Sequence, residues 1–319
     1  MNNKVKIISM DTIPVEEIRW LWKPYIPFGK LTIVQGDPGE GKTTFALLIA
    51  SMLTQGKAFD ETGNMIQIEP SNVIYQTAEN GLSDIIKPRL LKAGADCTRV
   101  KVIDDTGNHL YMDDERLELA IKETEAKLLI LDPLQAYLGD KVDMNRANEV
   151  REITRKLGEI AENTGCAVIL IGHLNKGSGA KAAYRGLGSM DFYAMARSVL
   201  LVSKVPNDSS LRAVAHIKCN VAAEGSTMAF RVGESGVAWI GEYDISTEEL
   251  LAGFSNGDKH KTAENFLRKI LSNGNKVPAS SVFAQARELG VSKRTIENVK
   301  QELGIKSIKD GNLWLWSLE

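Results

Sequence analysis

The sequence is poor in the residues that build disulfide frameworks and metal centres. Among its 319 residues are three isolated cysteines, Cys97, Cys166 and Cys219, and four histidines that do not cluster. Isolated cysteines are reduced and mostly buried thiols far more often than metal or redox ligands. A disulfide scaffold and a metal site built on paired cysteines are therefore excluded.

Long apolar runs are also missing. No stretch approaches the roughly 18 consecutive apolar residues of a membrane-spanning helix, and the start, MNNKVKIISMDTIPVEE, lacks the apolar core of a signal peptide. We therefore expect a cytoplasmic protein with no membrane partner. With 43% hydrophobic and 25% charged residues, the chain is typical of a globular protein with two domains, or one large and one small domain.

The net charge of −2 hides an uneven distribution. From His260 to Glu319 there are 10 basic and 6 acidic residues, whereas the remainder holds 29 basic and 35 acidic residues. A small basic C-terminal segment that follows a larger acidic region favours a module that binds nucleic acid.

Residues 29–205 alternate short apolar runs with amphipathic stretches. The predicted strands are Leu31–Gln35, Asn72–Thr77, Val100–Asp104, Leu128–Asp132, Ala167–Gly172 and Ser198–Val205. The predicted helices are Thr43–Leu53, Gly81–Ala93, Asp113–Ala126 and Arg146–Asn163. Apolar strands separated by helices predict an α/β fold with a mostly parallel sheet flanked by helices. The later segments LRAVAHIKCN, TMAFRVGE and VAWIGEY predict antiparallel strands that extend one edge.

The end of the chain has a different pattern. Residues 250–261 lose periodicity and predict a linker between a domain at 1–249 and a smaller one at 262–319. Three helical patterns (Thr262–Ser272, Ala279–Glu288 and Lys293–Leu303) precede two short strands joined by Asp-Gly, as in a winged helix-turn-helix. Lys293, Arg294 and Lys300 of the third helix are its candidate DNA contacts, while Trp314 and Trp316 are expected to pack in its core. A protein–protein adaptor of the same fold is the rival interpretation.

A phosphate-binding motif follows the strand Leu31–Gln35. The sequence GDPGEGKTT matches G-x-x-x-x-G-K-T between a strand and a helix, where backbone N–H groups cradle phosphates. The predicted nucleotide-binding residues are Gly36, Asp37, Pro38, Gly39, Glu40, Gly41, Lys42, Thr43 and Thr44. Lys42 can reach the β- and γ-phosphates, and the Thr43 hydroxyl can hold Mg²⁺. Asp132, which ends LLILD, is expected to orient the water shell of Mg²⁺.

Two more polar residues follow predicted strands at the same rim of the sheet. Glu79 follows Asn72–Thr77, and it could orient or deprotonate the water that attacks the γ-phosphate. Its alternative role is that of a carboxylate at the start of a helix. His173 follows Ala167–Gly172 and could sense the γ-phosphate, although a lone histidine is more often structural.

These segments resemble the RecA-like ATPases of plasmid RepA type, relatives of the DnaB-family hexameric helicases. The resemblance covers roughly Trp20 to Lys218 and rests on GDPGEGKTT, VIYQTAEN, LLILDPL, NTGCAVILIGHLNKG and YRGLGSMDFYAMARSVLLV. It implies a hexameric ring of identical subunits with ATP and Mg²⁺ between neighbours. Lys42, Thr43 and Asp132 would bind both, Glu79 would activate water, and His173 would couple the γ-phosphate to a DNA-facing loop.

The resemblance also implies residues that act away from their own nucleotide. Arg197 matches the arginine that reaches into the neighbouring site, and Lys218 matches a second such basic residue, although Asn220 departs from the family pattern. Lys176, Lys181 and Arg185 would lie in loops that face single-stranded DNA in the central channel.

Two functions are compatible with all of these motifs. One is a ring-forming DNA-dependent ATPase that acts as a helicase or translocase in replication of a plasmid, phage or other mobile element. The other is a DNA-binding loader or replication regulator that uses ATP as an assembly switch. A recombinase-like filament is less favoured, since only 30 residues precede Leu31.

Overall fold

The structure is a computed structural model that describes residues 7–139, 147–173, 190–206, 208–234, 236–252, 256–272, 275–289, 291–310 and 313–318. Its strands are β1 (Trp20–Trp22), β2 (Ile26–Pro27), β3 (Leu31–Gly36), β4 (Lys57–Phe59), β5 (Met65–Gln67), β6 (Val73–Thr77), β7 (Val100–Lys101), β8 (Leu128–Asp132), β9 (Ala167–His173), β10 (Ser198–Val205), β11 (Asp208–Cys219), β12 (Met228–Gly233), β13 (Gly236–Glu242), β14 (Val277–Pro278), β15 (Lys306–Asp310) and β16 (Leu313–Ser317). Its helices are α1 (Lys42–Thr54), α2 (Lys87–Lys92), α3 (Glu115–Thr124), α4 (Ala147–Thr164), α5 (Met190–Met195), α6 (Thr247–Ala252), α7 (Asn256–Ile270), α8 (Ala279–Glu288) and α9 (Lys293–Glu302).

A nine-stranded sheet in the order β13-β12-β11-β10-β3-β9-β8-β6-β7 forms the centre of the fold. The six strands from β10 to β7 are parallel, and β11, β12 and β13 extend the sheet by antiparallel pairing. The predicted parallel sheet with an antiparallel extension is therefore confirmed. Because parallel strands end at one edge, the segments that follow β3, β6, β8 and β9 meet there.

Helices cover both faces of this sheet, as the continuous apolar strands predict. Alternate residues of a strand point to opposite faces. Thus Val34 and Ile130 pack with α1 and α2, while Ile33 and Leu129 pack with α3, α4 and α5. Each face of the sheet buries one hydrophobic core. The two cores hold the strands in place and thereby fix the edge at which the polar residues that follow the strands lie.

Strand β7 is shorter than the predicted Val100–Asp104 because a side chain replaces part of the strand pairing. The Gln76 amide donates to the carbonyl of Ile103 at 3.1 Å and accepts from the Ile103 N–H at 2.7 Å. These two bonds satisfy the backbone where a ladder would otherwise continue.

The C-terminal unit, defined as α7–α9 with β14–β16, has its own apolar core. Three helices pack with a three-stranded sheet in the order β14-β16-β15. Within the predicted linker at 250–261, α6 ends at Ala252 and α7 begins at Asn256, so part of this segment is helical. Backbone hydrogen bonds can form a helix in a polar stretch, so the loss of apolar periodicity does not show where α7 begins. The division into two domains stays a prediction.

The two tryptophans of β16 differ in burial. Trp316 is 4% exposed and packs in the core of the C-terminal unit, as predicted, whereas Trp314 is 54% exposed. The prediction that both lie in the core is therefore wrong for Trp314. No helix within the described ranges is long and apolar enough to span a membrane.

Candidate active site

The phosphate loop connects β3 to the start of α1 at Lys42. Gly41 has φ of +100°, in the left-handed region that favours glycine, and a Cβ at Gly36 would lie 2.2 Å from the carbonyl oxygen of Val202. Glycine is therefore required at Gly41 by backbone conformation and at Gly36 by close packing on β10. The loop ends at a helix N-terminus, whose free N–H groups favour anions.

Lys42 is held inside this loop. It is only 5% exposed, and its Nζ donates to the carbonyls of Gly36 at 2.8 Å and Asp37 at 2.9 Å. Burial lowers the pKa of Lys42, while nearby carboxylates, the Asp132 carboxylate first, oppose that shift. The ammonium group is thus positioned beside the phosphate cradle, as predicted.

Thr43 and Asp132 lie together, as predicted. The Thr43 hydroxyl donates to Asp132 Oδ2 at 2.8 Å, and the Tyr75 hydroxyl donates to the same oxygen at 2.7 Å. Burial, reinforced by the Asp132 carboxylate, raises the pKa of Tyr75, so this phenol stays a donor. A hydroxyl and a carboxylate on the phosphate side fit a hard cation such as Mg²⁺, which takes its other ligands from phosphate and water.

His173 joins Lys42 to Glu79. Its Nδ1 lies 3.2 Å from Lys42 Nζ, and its Nε2 lies 4.0 Å from Glu79 Oε1. Burial, followed by the Lys42 ammonium, lowers the pKa of His173. Sheet register explains the proximity, since Gly36 pairs with His173 across β3 and β9. The structure therefore brings together all four predicted rim residues, Lys42, Glu79, Asp132 and His173.

A cleft of about 380 Å³ opens over these residues. The prediction omits four of its lining residues: Asn80, Arg89, Arg212 and Val232. The Arg212 side chain packs against Gly41, with Nε 3.2 Å from the position of a Cβ there. Arg89 follows Glu79 by ten residues and is exposed. No local sequence motif predicts Arg212 as a site residue, because only the pairing of strands in the folded sheet brings β11 near the phosphate loop.

Glu40 has a role other than direct contact with a ligand. Its carboxylate accepts from the Lys204 N–H at 2.5 Å, and Oε1 lies 3.6 Å from Lys204 Nζ. The side chain therefore ties the phosphate loop to β10. The Glu40 backbone N–H donates to the carbonyl of Asp37 at 3.3 Å, and contact of Glu40 with nucleotide stays a prediction.

Arg197 and Lys218 lie at the opposite end of the sheet from the phosphate loop. The Arg197 N–H donates to the carbonyl of Leu31, the first residue of β3, whereas the loop follows its last residue. Lys218 Nζ donates to the carbonyls of Tyr193, Ala194 and Ala196. Burial, together with Arg197, lowers the pKa of Lys218. Neither residue belongs to the cleft of its own chain, so action on a neighbour's site stays a prediction.

A family model described as an AAA domain (AAA_25) matches residues 3–179, more than half of the chain. The chain belongs to this family. It is similar to the DNA repair protein RadA of Halalkalibacterium halodurans, with 31% identity over 173 residues that cover 52% of this chain and 32% of that protein. RadA of Bacillus subtilis is 26% identical over 150 residues, which cover 46% of this chain and 28% of that protein.

RadA of Streptococcus pyogenes serotype M3 is 23% identical over 266 residues, which cover 81% of this chain and 51% of that protein. The chain therefore spans between 28% and 51% of the length of these relatives. A crystal structure of the RadB recombinase has a TM-score of 0.47 and 21% identity, covering 67% of this chain and 91% of that one. By family this is an AAA-domain chain, and its P-loop motif follows β3 in a mostly parallel sheet.

The predicted DNA-binding residues divide into two groups. Lys176, Lys181 and Arg185 lie outside the described residues. In α9, Lys293 Nζ lies 5.0 Å from the Phe283 ring centre and 3.9 Å from a Glu297 carboxylate oxygen, and Arg294 is exposed. Lys300 is half-buried and bonds within the C-terminal unit. All three α9 residues stay predicted DNA contacts.

Proposed function

We propose that this AAA-family chain is a Mg²⁺-dependent ATPase that works on DNA. The observation that carries the proposal is the convergence of Lys42, Thr43, Asp132, Glu79 and His173 on one cleft. A cation, a pair of oxygen ligands suited to a metal ion and an exposed carboxylate are the groups that phosphoryl transfer requires.

In the proposed reaction, Lys42 exchanges its carbonyl partners for β- and γ-phosphate oxygens. Thr43 and Asp132 would hold Mg²⁺, and the charge of this ion would offset that of the phosphates. Glu79 is 57% exposed in its side chain and faces the cleft, so it is free to orient water in line with the γ-phosphate. Lys42 donates to His173 Nδ1, and His173 Nε2 lies 4.0 Å from Glu79 Oε1, so movement of Lys42 on loss of the γ-phosphate would be transmitted to the end of β9.

The site is proposed to be completed by a neighbouring subunit. Arg197 and Lys218 are basic residues remote from their own cleft, so a head-to-tail contact between copies would bring them to the next nucleotide. A planar, permanently charged Arg197 suits transition-state charge on the γ-phosphate. A hexameric ring of plasmid RepA type is the assembly that we propose.

DNA is the proposed partner on two grounds. The curated relatives are named DNA repair proteins, and the C-terminal block is basic. We propose that the C-terminal unit is a winged helix-turn-helix in which α9 approaches phosphate with Lys293, Arg294 and Lys300. Lys176, Lys181 and Arg185 would contact a single strand within the ring.

Steady-state ATP hydrolysis tests the proposal. It is measured without DNA, with single strands and with duplex, beside Lys42→Ala as the inactive control. Strong stimulation by single strands supports a helicase or translocase, and slow turnover indifferent to single strands supports the loader or regulator. Hydrolysis that survives in Lys42→Ala, or the absence of any turnover in the wild type, contradicts the proposed ATPase.

A further inference from the structure

The hairpin β15–β16 of the C-terminal unit presents one face toward α9. Ser307 pairs with Trp316 and Lys309 pairs with Trp314 across the two antiparallel strands. Because strand side chains alternate between faces, these four residues share one face, and Ile308 lies on the other.

The inner half of this face is covered by helices. The Trp316 ring is buried and meets the Phe283 ring edge-on, with centres 5.2 Å apart. From α9, Lys300 Nζ lies 4.5 Å from the centre of the Trp316 ring and donates to the Ser307 hydroxyl at 2.5 Å. The end of α9 is therefore fixed against the base of the hairpin.

The outer half of the same face is not covered by the described residues. Trp314, two residues from Trp316, is 54% exposed, and Lys309 Nζ lies 6.0 Å from its ring centre. Of the five tryptophans, all within the described ranges, Trp314 is the exposed one. The hairpin thus extends beyond the helices and presents an indole ring with a lysine beside it, on the side where α9 presents Lys300.

We propose that Trp314 is a stacking site for an unpaired base of single-stranded DNA, with Lys309 and Lys300 directed at the flanking phosphates. The inference rests on the proposed role of the chain on DNA. It adds a binding residue and a strand preference to that role.

The chemistry of the site favours a single strand. In a duplex, neighbouring bases cover both faces of each base, so an indole ring stacks without the cost of opening the duplex only on an unpaired base or at a strand end. Stacking on an aromatic side chain tolerates any base and contributes substantially to single-strand binding. The ammonium groups of Lys309 and Lys300 can only donate hydrogen bonds, and each has three N–H donors, which suits phosphate oxygens. The excess of basic over acidic residues after His260 has the sign that a phosphate backbone requires.

The test uses the full chain without nucleotide and an oligonucleotide of about 20 thymidines. Binding is followed by anisotropy of a labelled strand and by quenching of tryptophan fluorescence. Trp314→Ala is expected to weaken binding about tenfold or more, and Trp314→Phe is expected to retain most of the affinity while losing the quenching. Ile308→Ala, an exposed position on the opposite face, is the matched control and keeps wild-type affinity.

Thermal unfolding of each variant shows whether the C-terminal unit stays folded, and Trp314→Phe keeps the test valid if Trp314→Ala does not. Equal affinity of Trp314→Ala and wild type, no single-strand binding by the wild type, or an equal loss of blunt-duplex binding in Trp314→Ala would each overturn the proposal. The last result would indicate a duplex contact. ATP hydrolysis is measured separately, with Lys42→Ala as the inactive control. An incorrect assignment of Trp314 can therefore be distinguished from an incorrect proposal of ATPase activity.

Discussion

His173 Nδ1 lies 3.2 Å from the Nζ of Lys42 in the phosphate loop. Since an ammonium group can only donate, Nδ1 must accept, and the imidazole proton lies on Nε2, which faces Glu79 at 4.0 Å. One histidine therefore links the residue expected to bind the γ-phosphate to the residue expected to position water. This arrangement requires a neutral imidazole.

The first prediction concerns the pH dependence of hydrolysis. Protonation of His173 would place a second cation against Lys42, and the pKa of His173 is lowered by burial and by Lys42. We expect His173 to stay neutral near pH 7, so its protonation does not change the rate of ATP hydrolysis there. The rate should fall only at a pH below the ordinary histidine pKa of about 6.5. His173→Gln retains an acceptor and a donor, so its pH–rate profile should lose that acid limb.

His109→Gln is the control for this profile, because His109 is exposed and is not among the residues that line the cleft. Circular dichroism at each pH confirms that the variants stay folded. An acid limb of unchanged position in His173→Gln would contradict the assignment of that limb to His173.

Glu79→Gln should separate ATP binding from ATP hydrolysis. The amide keeps the size of the side chain but cannot accept a proton, and removal of a positioned base costs about 100-fold or more in rate. We expect ATP affinity at or above that of the wild type, measured by equilibrium titration, with single-turnover hydrolysis reduced by that factor. Glu69→Gln, at an exposed position outside the cleft, provides the reference, and an undiminished rate in Glu79→Gln would exclude Glu79 as the base.

The position of Arg197 predicts complementation between two inactive variants. Arg197→Ala should bind ATP but lose about 1,000-fold in hydrolysis, as expected for an arginine that stabilises transition-state charge. In an equal mixture with Lys42→Ala, about a quarter of head-to-tail interfaces would combine an intact phosphate loop with an intact Arg197. Recovered hydrolysis after mixing and reassembly is the expected result. A mixture as inactive as its components, despite mixed assembly shown by mass spectrometry, would contradict action between subunits.

Much of this site was predictable because its residues follow strands. Buried apolar runs identify β3, β6, β8 and β9, and in a parallel sheet whatever follows them meets at one edge. The sequence therefore predicts that Lys42, Glu79, Asp132 and His173 lie together, and this prediction does not require knowledge of strand order.

Other features depend on contacts that no local pattern encodes. Arg212 reaches Gly41 only because β11 pairs beside β10, and Glu40 bonds to Lys204, 164 residues later. The exposure of Trp314 also cannot be predicted from local pattern, since alternation along β16 places Trp314 on the same face as Trp316 but does not show how far α9 extends over that face.

The last prediction concerns His216, a buried histidine far from the proposed reaction. Its Nδ1 accepts from the Gly225 N–H at 3.0 Å, and its Nε2 lies 3.1 Å from the Ser198 hydroxyl, which donates to the carbonyl of Tyr25. Burial lowers the pKa of His216 to about 4, against an unfolded-state value of about 6.5.

Between these two pKa values the unfolded chain binds more protons at His216 than the folded chain does. The free energy of unfolding is therefore highest above about pH 6.5 and falls as the pH drops toward 4, with a contribution from His216 of at most about 3 kcal/mol. Chemical unfolding of the wild type and of His216→Gln at several pH values measures it. We expect the variant to be less stable at neutral pH and to lose less stability on acidification, because glutamine does not titrate. If the two proteins lose stability in parallel, another group is responsible for the acid sensitivity, and burial does not hold His216 neutral.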